Sequence, residues 1–158
     1  MRIALIVGVN HYEHGGHLYG CVNAAHSVKA ILERHDGGSV NLDCRLLTGT
    51  GPREAVKRGD LKDQITELFK ADADIALFYF AGHGHIEATG GYLLTSDAAR
   101  GDEGVSLTEI LTIANNSPAK NKLIILDSCH SGIAGTPPEA GQLASLAEGV
   151  TVLTASTK

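Results

Sequence analysis

Two stretches of the chain carry side chains that can do nucleophilic chemistry. The first is AGHGH (81–85), which follows an apolar run, and the second is LDSCHSG (126–132), which closes another. A cysteine thiolate is a nucleophile, and an imidazole can take up the thiol proton and later protonate a leaving amine. These residue types predict hydrolysis through a thiol, with Cys129 as the nucleophile and a histidine as its base.

Three histidines compete for the role of base. His130 follows Cys129 directly, but consecutive side chains leaving a strand point to opposite sides, so His130 is a poor candidate. His83 is the better one, because the glycines on either side let the backbone turn tightly and a substrate approach closely; His85 is the second choice. The N–H groups of Gly84 and Cys129 are candidate donors of an oxyanion hole.

The elements that must position these residues follow from the apolar pattern. Strand-like runs alternate with helical patterns, and the runs are continuously apolar, which favours a mostly parallel sheet with helices on both faces. Ligands bind at the carboxyl ends of such strands, where both stretches lie. The predicted strands are 3–9, 42–47, 75–81, 122–126 and 150–155, with 42–47 near an edge and a small hairpin at 92–95. The predicted helices are 24–34, 61–70 and 106–115. Asp60 is the expected cap of the second helix, and Ser106 starts the third with Glu109 at the capping-box position.

Composition limits the class of protein. The chain has 158 residues, 43% of them hydrophobic and 20% charged, which fits one globular domain. A net charge of -5 gives no reason to expect binding to nucleic acid or an anionic membrane, and no apolar run is long enough for a membrane helix. Three widely spaced cysteines do not form a secreted disulfide framework, so we expect a reducing, cytoplasmic location.

At this point the sequence resembles a known family. FYFAGHG followed by LIILDSCHSG is similar to the caspase-like cysteine peptidases, most of all to the prokaryotic metacaspases, and the His and Cys lie 46 residues apart. The opening IALIVGVNHY, the run LYGCVNAAHSVKAIL and the later VTVLTAS also resemble family elements, so the likeness covers nearly the whole chain, 1–158. It implies an α/β three-layer sandwich with a mostly parallel central sheet, as in the caspase–haemoglobinase fold.

The resemblance also implies roles for particular residues. His83 would be the general base, Cys129 the nucleophile, and Asp127 the acid under the pocket for the residue before the cut bond. A carboxylate there would select Arg or Lys. The family's second pocket acid is replaced here by Ala24. From the residues alone, Asp127 is equally compatible with a helix N-cap.

Two clusters suggest metal ions by count. Asp97, Asp102 and Glu103 form an acidic loop with the oxygen ligands that calcium prefers, and many metacaspases need calcium; a solvated loop is the alternative. The histidines of HYEHGGH (11–17) have no cysteine nearby and a flexible Gly pair, so we expect solvated loop histidines there.

Several hypotheses about the whole protein stay open. The first is a cysteine endopeptidase acting on protein or peptide substrates; the others are a catalytically idle caspase-like binding module and a separase-like (CHAT-type) effector protease. Because a strand that resembles a central one ends near Lys158, we expect further sequence or a second, small-subunit-like fragment to complete the fold. Lys158 is then either a self-processing site or a plain boundary.

Overall fold

The computed structural model describes residues 1–87, 90–129 and 148–155, and it describes Ile86, Glu87, Asp102, Ser128, Cys129 and Ala155 by their backbones only. The described strands are β1 (Arg2–Val9), β2 (Asp43–Gly49), β3 (Ile75–Glu87), β4 (Gly90–Leu93), β5 (Val105–Ser106), β6 (Asn121–Cys129) and β7 (Val150–Ala155). The helices are α1 (Cys21–Leu32), α2 (Arg58–Lys70) and α3 (Leu107–Asn115), with a short 3-10 turn at Gly101–Glu103.

Five of these strands form a parallel sheet in the order β2-β1-β3-β6-β7. The far end of β3 leaves this sheet and pairs antiparallel with β4, which in turn pairs with β5. The predicted α/β fold with a mostly parallel central sheet is confirmed, and β2 lies at the edge, as its mixed polarity indicated.

Helices cover both faces of the sheet, and this explains why the strands are apolar throughout. Alternate residues of β1 and β3 belong to two separate cores. The core under α1 contains Ala4, Ile6, Cys21, Ala25, Leu77, Tyr79 and Ala81. The core under α2 and α3 contains Leu5, Val7, Val9, Leu61, Ile65, Phe78, Phe80 and Ile110.

Two predicted boundaries move for identifiable reasons. β3 continues to Glu87 rather than ending at residue 81, because β4 provides an antiparallel partner for its second half. The prediction that Asp60 caps α2 is wrong: the helix begins at Arg58, and the carboxylate that accepts the Arg58 N–H at 3.0 Å belongs to Asp97, 39 residues away. Ser106 caps α3 as predicted, its Oγ accepting from the N–H of Glu109 at 3.5 Å.

No helix within the described residues is both long and apolar enough to cross a membrane.

Candidate active site

His83 and Cys129 lie side by side at the carboxyl edge of the parallel sheet. β3 and β6 are neighbours, and their register runs from Ile75 opposite Asn121 to His83 opposite Cys129, which is the last pair. Two residues 46 apart in the chain are therefore brought to adjacent backbone positions. Residues at one register position of a parallel pair share a face of the sheet.

The backbone and ring of His83 are held by the loop between β1 and α1. The side chain is buried, with 6% exposed, and its ring lies against that of Tyr12 with 4.6 Å between centroids. The His83 N–H donates to Tyr12 Oη at 2.8 Å, and Tyr12 Oη donates to the carbonyl oxygen of Leu94 at 3.2 Å. The hydroxyl of Tyr12 thus links β3 to the residue that follows β4, and it fixes the backbone at His83.

A backbone carbonyl sets the tautomer of His83. Nε2 lies 2.8 Å from the carbonyl oxygen of Gly16. Because a carbonyl oxygen can only accept a hydrogen bond, Nε2 carries the proton, and Nδ1 of the neutral ring is left as a proton acceptor. Nδ1 is buried and has no hydrogen-bond partner within the described part of the chain. Buried polar atoms without a partner are rare, and His11 Nε2 is the other such side-chain atom among the described residues.

Gly82 is required by a close approach in this region. A Cβ added there would lie 2.7 Å from Tyr12 Oη and 2.8 Å from the ring of Phe80. Gly84 comes one residue after His83 and pairs with Leu93 of β4. Its part in an oxyanion hole stays a prediction.

Asp127 lies two residues before Cys129 on the same strand. It stands in register with Ala81 of β3 and Ala155 of β7 and is partly exposed. The alternative interpretation as a helix N-cap is wrong, because Ser128 and Cys129 continue β6 as a strand.

The carboxylate of Asp127 has a partner that the sequence did not reveal. Tyr79 Oη donates to Asp127 Oδ2 at 3.2 Å. Burial raises the pKa of the Tyr79 hydroxyl well above its usual range, and the negative charge of Asp127 raises it further. The phenol therefore stays protonated and acts as a donor to Asp127.

The sequence missed three residues that build the site, namely Tyr12, Gly16 and Tyr79. Gly16 acts through a carbonyl oxygen, which every residue carries, so no residue-type pattern could have selected it. Tyr79 and Tyr12 are buried at 5% and 3% exposure and look like core residues in the sequence. A hydroxyl on an otherwise apolar strand was the available signal for Tyr79.

The other candidate bases lie apart or outside the description. The ring of His85 packs on Gly101, where an added Cβ would collide with it. His130 lies outside the described residues, as does Lys158.

Two carboxylates of the predicted acidic loop make hydrogen bonds within the protein. Asp97 Oδ1 accepts from the Arg58 N–H at 3.0 Å and from Thr95 Oγ1 at 2.7 Å. Glu103 Oε2 accepts from the N–H of Ala99 at 2.9 Å, and the side chain of Asp102 lies outside the description. Among the side chains that the structure describes, no three of His, Cys, Asp or Glu are grouped to hold a metal ion, and calcium binding by this loop stays a prediction.

The histidines of the β1–α1 loop make contacts of their own. The rings of His11 and His17 stack at 5.1 Å, and His17 Nδ1 accepts from the Tyr12 N–H at 3.3 Å. His14 and His17 are exposed and His11 is half-buried, so only part of this group matches the expected solvated loop.

A histidine and a cysteine stand in register at the carboxyl edge of a parallel sheet, and these are the two groups that thiol-dependent hydrolysis requires. The family model of the caspase domain, peptidase C14, matches residues 1–157, and the chain belongs to this family.

A solved structure gives independent support for the fold. Protein GSU0716 from Geobacter sulfurreducens superimposes with a TM-score of 0.61 at 26% sequence identity, over 83% of this chain and 51% of that one. The chain thus spans about half the length of that protein. No curated protein matches the chain.

Proposed function

We propose that the protein is a cysteine endopeptidase that cuts peptide bonds after Lys or Arg. Cys129 is the nucleophile, His83 the general base and Asp127 the acid that receives the basic side chain. The observation that carries this proposal is the register of His83 with Cys129, combined with the carbonyl of Gly16 on His83 Nε2. That carbonyl leaves Nδ1 as the atom that takes the proton.

The reaction has two stages. His83 Nδ1 takes the proton of the Cys129 thiol, and the thiolate attacks the carbonyl carbon of the bond to be cut, forming a carbon–sulfur bond. The N–H groups of Gly84 and Cys129 stabilise the oxyanion. When the carbon–nitrogen bond breaks, the amine leaves with the proton from His83. Water, deprotonated by His83, then hydrolyses the thioester, which releases the acid product and restores the thiol.

The Gly16 carbonyl also stabilises the His83 ring after it has taken up a proton. When Nδ1 is protonated, the ring is a cation, and the carbonyl oxygen 2.8 Å from Nε2 stabilises its positive charge. The same contact holds the ring in one orientation. His83 therefore needs no carboxylate partner for either task.

The free edge of β7 supports a further proposal about partners. β7 pairs with β6 on one side and with no strand on the other among the described residues, and its Leu153 is 53% exposed. Unpaired strand edges and exposed apolar side chains bind further strands. Further sequence or a second, small-subunit-like chain would occupy this edge. The low cysteine content fits an enzyme that works in a reducing cytoplasm.

The test compares Cys129→Ala with Cys44→Ala as a matched control. We expect Cys129→Ala to abolish cleavage of peptides carrying Lys or Arg, and Cys44→Ala to leave it unchanged. Cys44 is distant on β2, and burial raises the pKa of its thiol, so little of it is thiolate at neutral pH. Labelling by a peptide acyl ketone would follow the same pattern. Cleavage retained by Cys129→Ala would overturn the proposal, and an unreactive wild type would identify a binding module instead.

Asp127→Asn tests the specificity separately. It removes the charge and keeps the shape, so we expect cleavage after Lys and Arg to fall while labelling of Cys129 by a small thiol reagent persists. Unchanged cleavage after basic residues would refute the role of Asp127 as the pocket acid. It would leave the role of Cys129 as the nucleophile intact.

A further inference from the structure

Tyr79 is the hydrogen-bond partner of Asp127, the acid of the proposed specificity pocket. Every second residue of a strand lies on the same face of the sheet, so Tyr79, Ala81 and His83 share one face of β3. Ala81 stands in register with Asp127. The Tyr79 hydroxyl reaches diagonally from below Ala81 to Asp127 Oδ2. The pocket acid is therefore half of a hydrogen-bonded pair.

The first turn of α1 packs in the same core as Tyr79. Cys21 belongs to the same buried cluster as Tyr79 and Ala81, and Ala24 packs against that cluster. Neither Cys21 nor Ala24 has a carboxylate. The carboxylate that contacts the Tyr79 hydroxyl is that of Asp127.

The hydroxyl offers a second oxygen to a ligand. A tyrosine that donates its proton to a carboxylate keeps its oxygen lone pairs as acceptors. The raised pKa of Tyr79, caused by burial and by Asp127, keeps the proton on the phenol. Asp127 and Tyr79 together present one charged and one neutral oxygen about a hydrogen-bond length apart.

We propose that Tyr79 determines specificity within the proposed peptidase function, by forming with Asp127 a two-oxygen receptor for the ammonium group of a substrate lysine. An ammonium is a compact charge with three donors on one nitrogen, so it can bond to a carboxylate oxygen and a phenol oxygen together. A guanidinium is a planar fork that binds best to both oxygens of one carboxylate. Tyr79 already occupies Oδ2, which weakens that bidentate fit, so the enzyme favours Lys over Arg.

The experiment compares Tyr79→Phe with wild type on two peptides that differ only in Lys or Arg before the cut bond. Phe keeps the ring and removes one oxygen atom. We expect kcat/KM for the Lys peptide to fall about 10-fold, the size of one hydrogen bond to a charged group, while the Arg peptide stays within about 2-fold or improves. The ratio of the two rates does not depend on the fraction of folded enzyme, because one sample cuts both peptides.

Tyr92→Phe is the matched control, because it removes the same atom from a half-buried tyrosine on β4. Its Lys/Arg ratio should equal that of wild type. If Tyr79→Phe cuts the two peptides with the same Lys/Arg ratio as wild type, this inference is wrong, and the proposed function is unaffected. A wild type that cuts neither peptide would instead refute the proposed specificity, and this inference with it.

Discussion

At the scale of single residues, the site depends on backbone groups as much as on side chains. His83 and Cys129 could be predicted because their types and spacing are distinctive. The groups that orient His83 could not, because the Gly16 carbonyl has no signature in a sequence and Tyr12 is buried like any core aromatic. The candidate nucleophile and base could thus be chosen from the sequence, while the contacts that hold His83 required the structure.

Tyr12→Phe tests one of these supporting contacts. The change leaves the buried N–H of His83 without its acceptor, so we expect a loss of about 1–2 kcal/mol in the free energy of unfolding. We also expect kcat to fall about 10-fold with KM unchanged, because a small displacement of the base slows proton transfer without weakening substrate binding.

Denaturant unfolding and steady-state kinetics measure the two effects. Tyr19→Phe is the control, because Tyr19 is 86% exposed. A loss of stability with full kcat would show that Tyr12 supports the fold and does not position the base.

At the scale of elements, the alternation of strands and helices predicted the sheet and both layers. What the pattern missed lies where a tertiary partner decides the boundary. The glycines on either side of His83 indicated a tight turn after Ala81, yet β3 continues to Glu87 because its last residues pair with β4. α1 starts three residues early because Asn10 Oδ1 accepts from the N–H groups of Cys21 and Val22 at 3.0 and 3.2 Å.

The contact between β1 and α1 gives a test at this scale. A Cβ at Gly8 would lie 2.8 Å from the Cβ of Ala25 and would also collide with the carbonyl oxygen of Cys21. Gly8→Ala must therefore push α1 from the sheet, and we expect it to lower the free energy of unfolding by about 1–3 kcal/mol.

Gly59→Ala is the matched control. Gly59 lies in α2, and an added Cβ there meets no atom within 4 Å. We expect this variant to gain up to about 1 kcal/mol from helix propensity. Urea unfolding measures both, and equal stabilities would show that α1 is not held by this close approach.

At the scale of the whole molecule, buried groups that titrate couple the fold to pH. Tyr79 is such a group, since its pKa is raised by burial and by Asp127. The native state therefore holds the phenol proton more tightly than the unfolded chain, in which tyrosine ionises near about pH 10. The contribution of Tyr79 to stability is complete below that pH and is lost as the pH rises above it towards the native pKa.

We expect the free energy of unfolding of wild type to fall more steeply with pH above about 10 than that of Tyr79→Phe. Denaturant unfolding of both proteins from neutral to alkaline pH measures the difference. The other tyrosines contribute equally to both curves and cancel. Parallel curves would mean that Tyr79 ionises alike in the native and unfolded states.

The position of β6 in the sheet has a consequence for synthesis. The strands β2, β1 and β3 and their helices are complete in the chain before β6 is translated, and β6 then joins the sheet beside β3. A nascent chain therefore carries its base for dozens of residues before its thiol reaches the neighbouring register position. If the proposed chemistry holds, the nascent chain has no peptidase activity until β6 has been translated and has paired with β3.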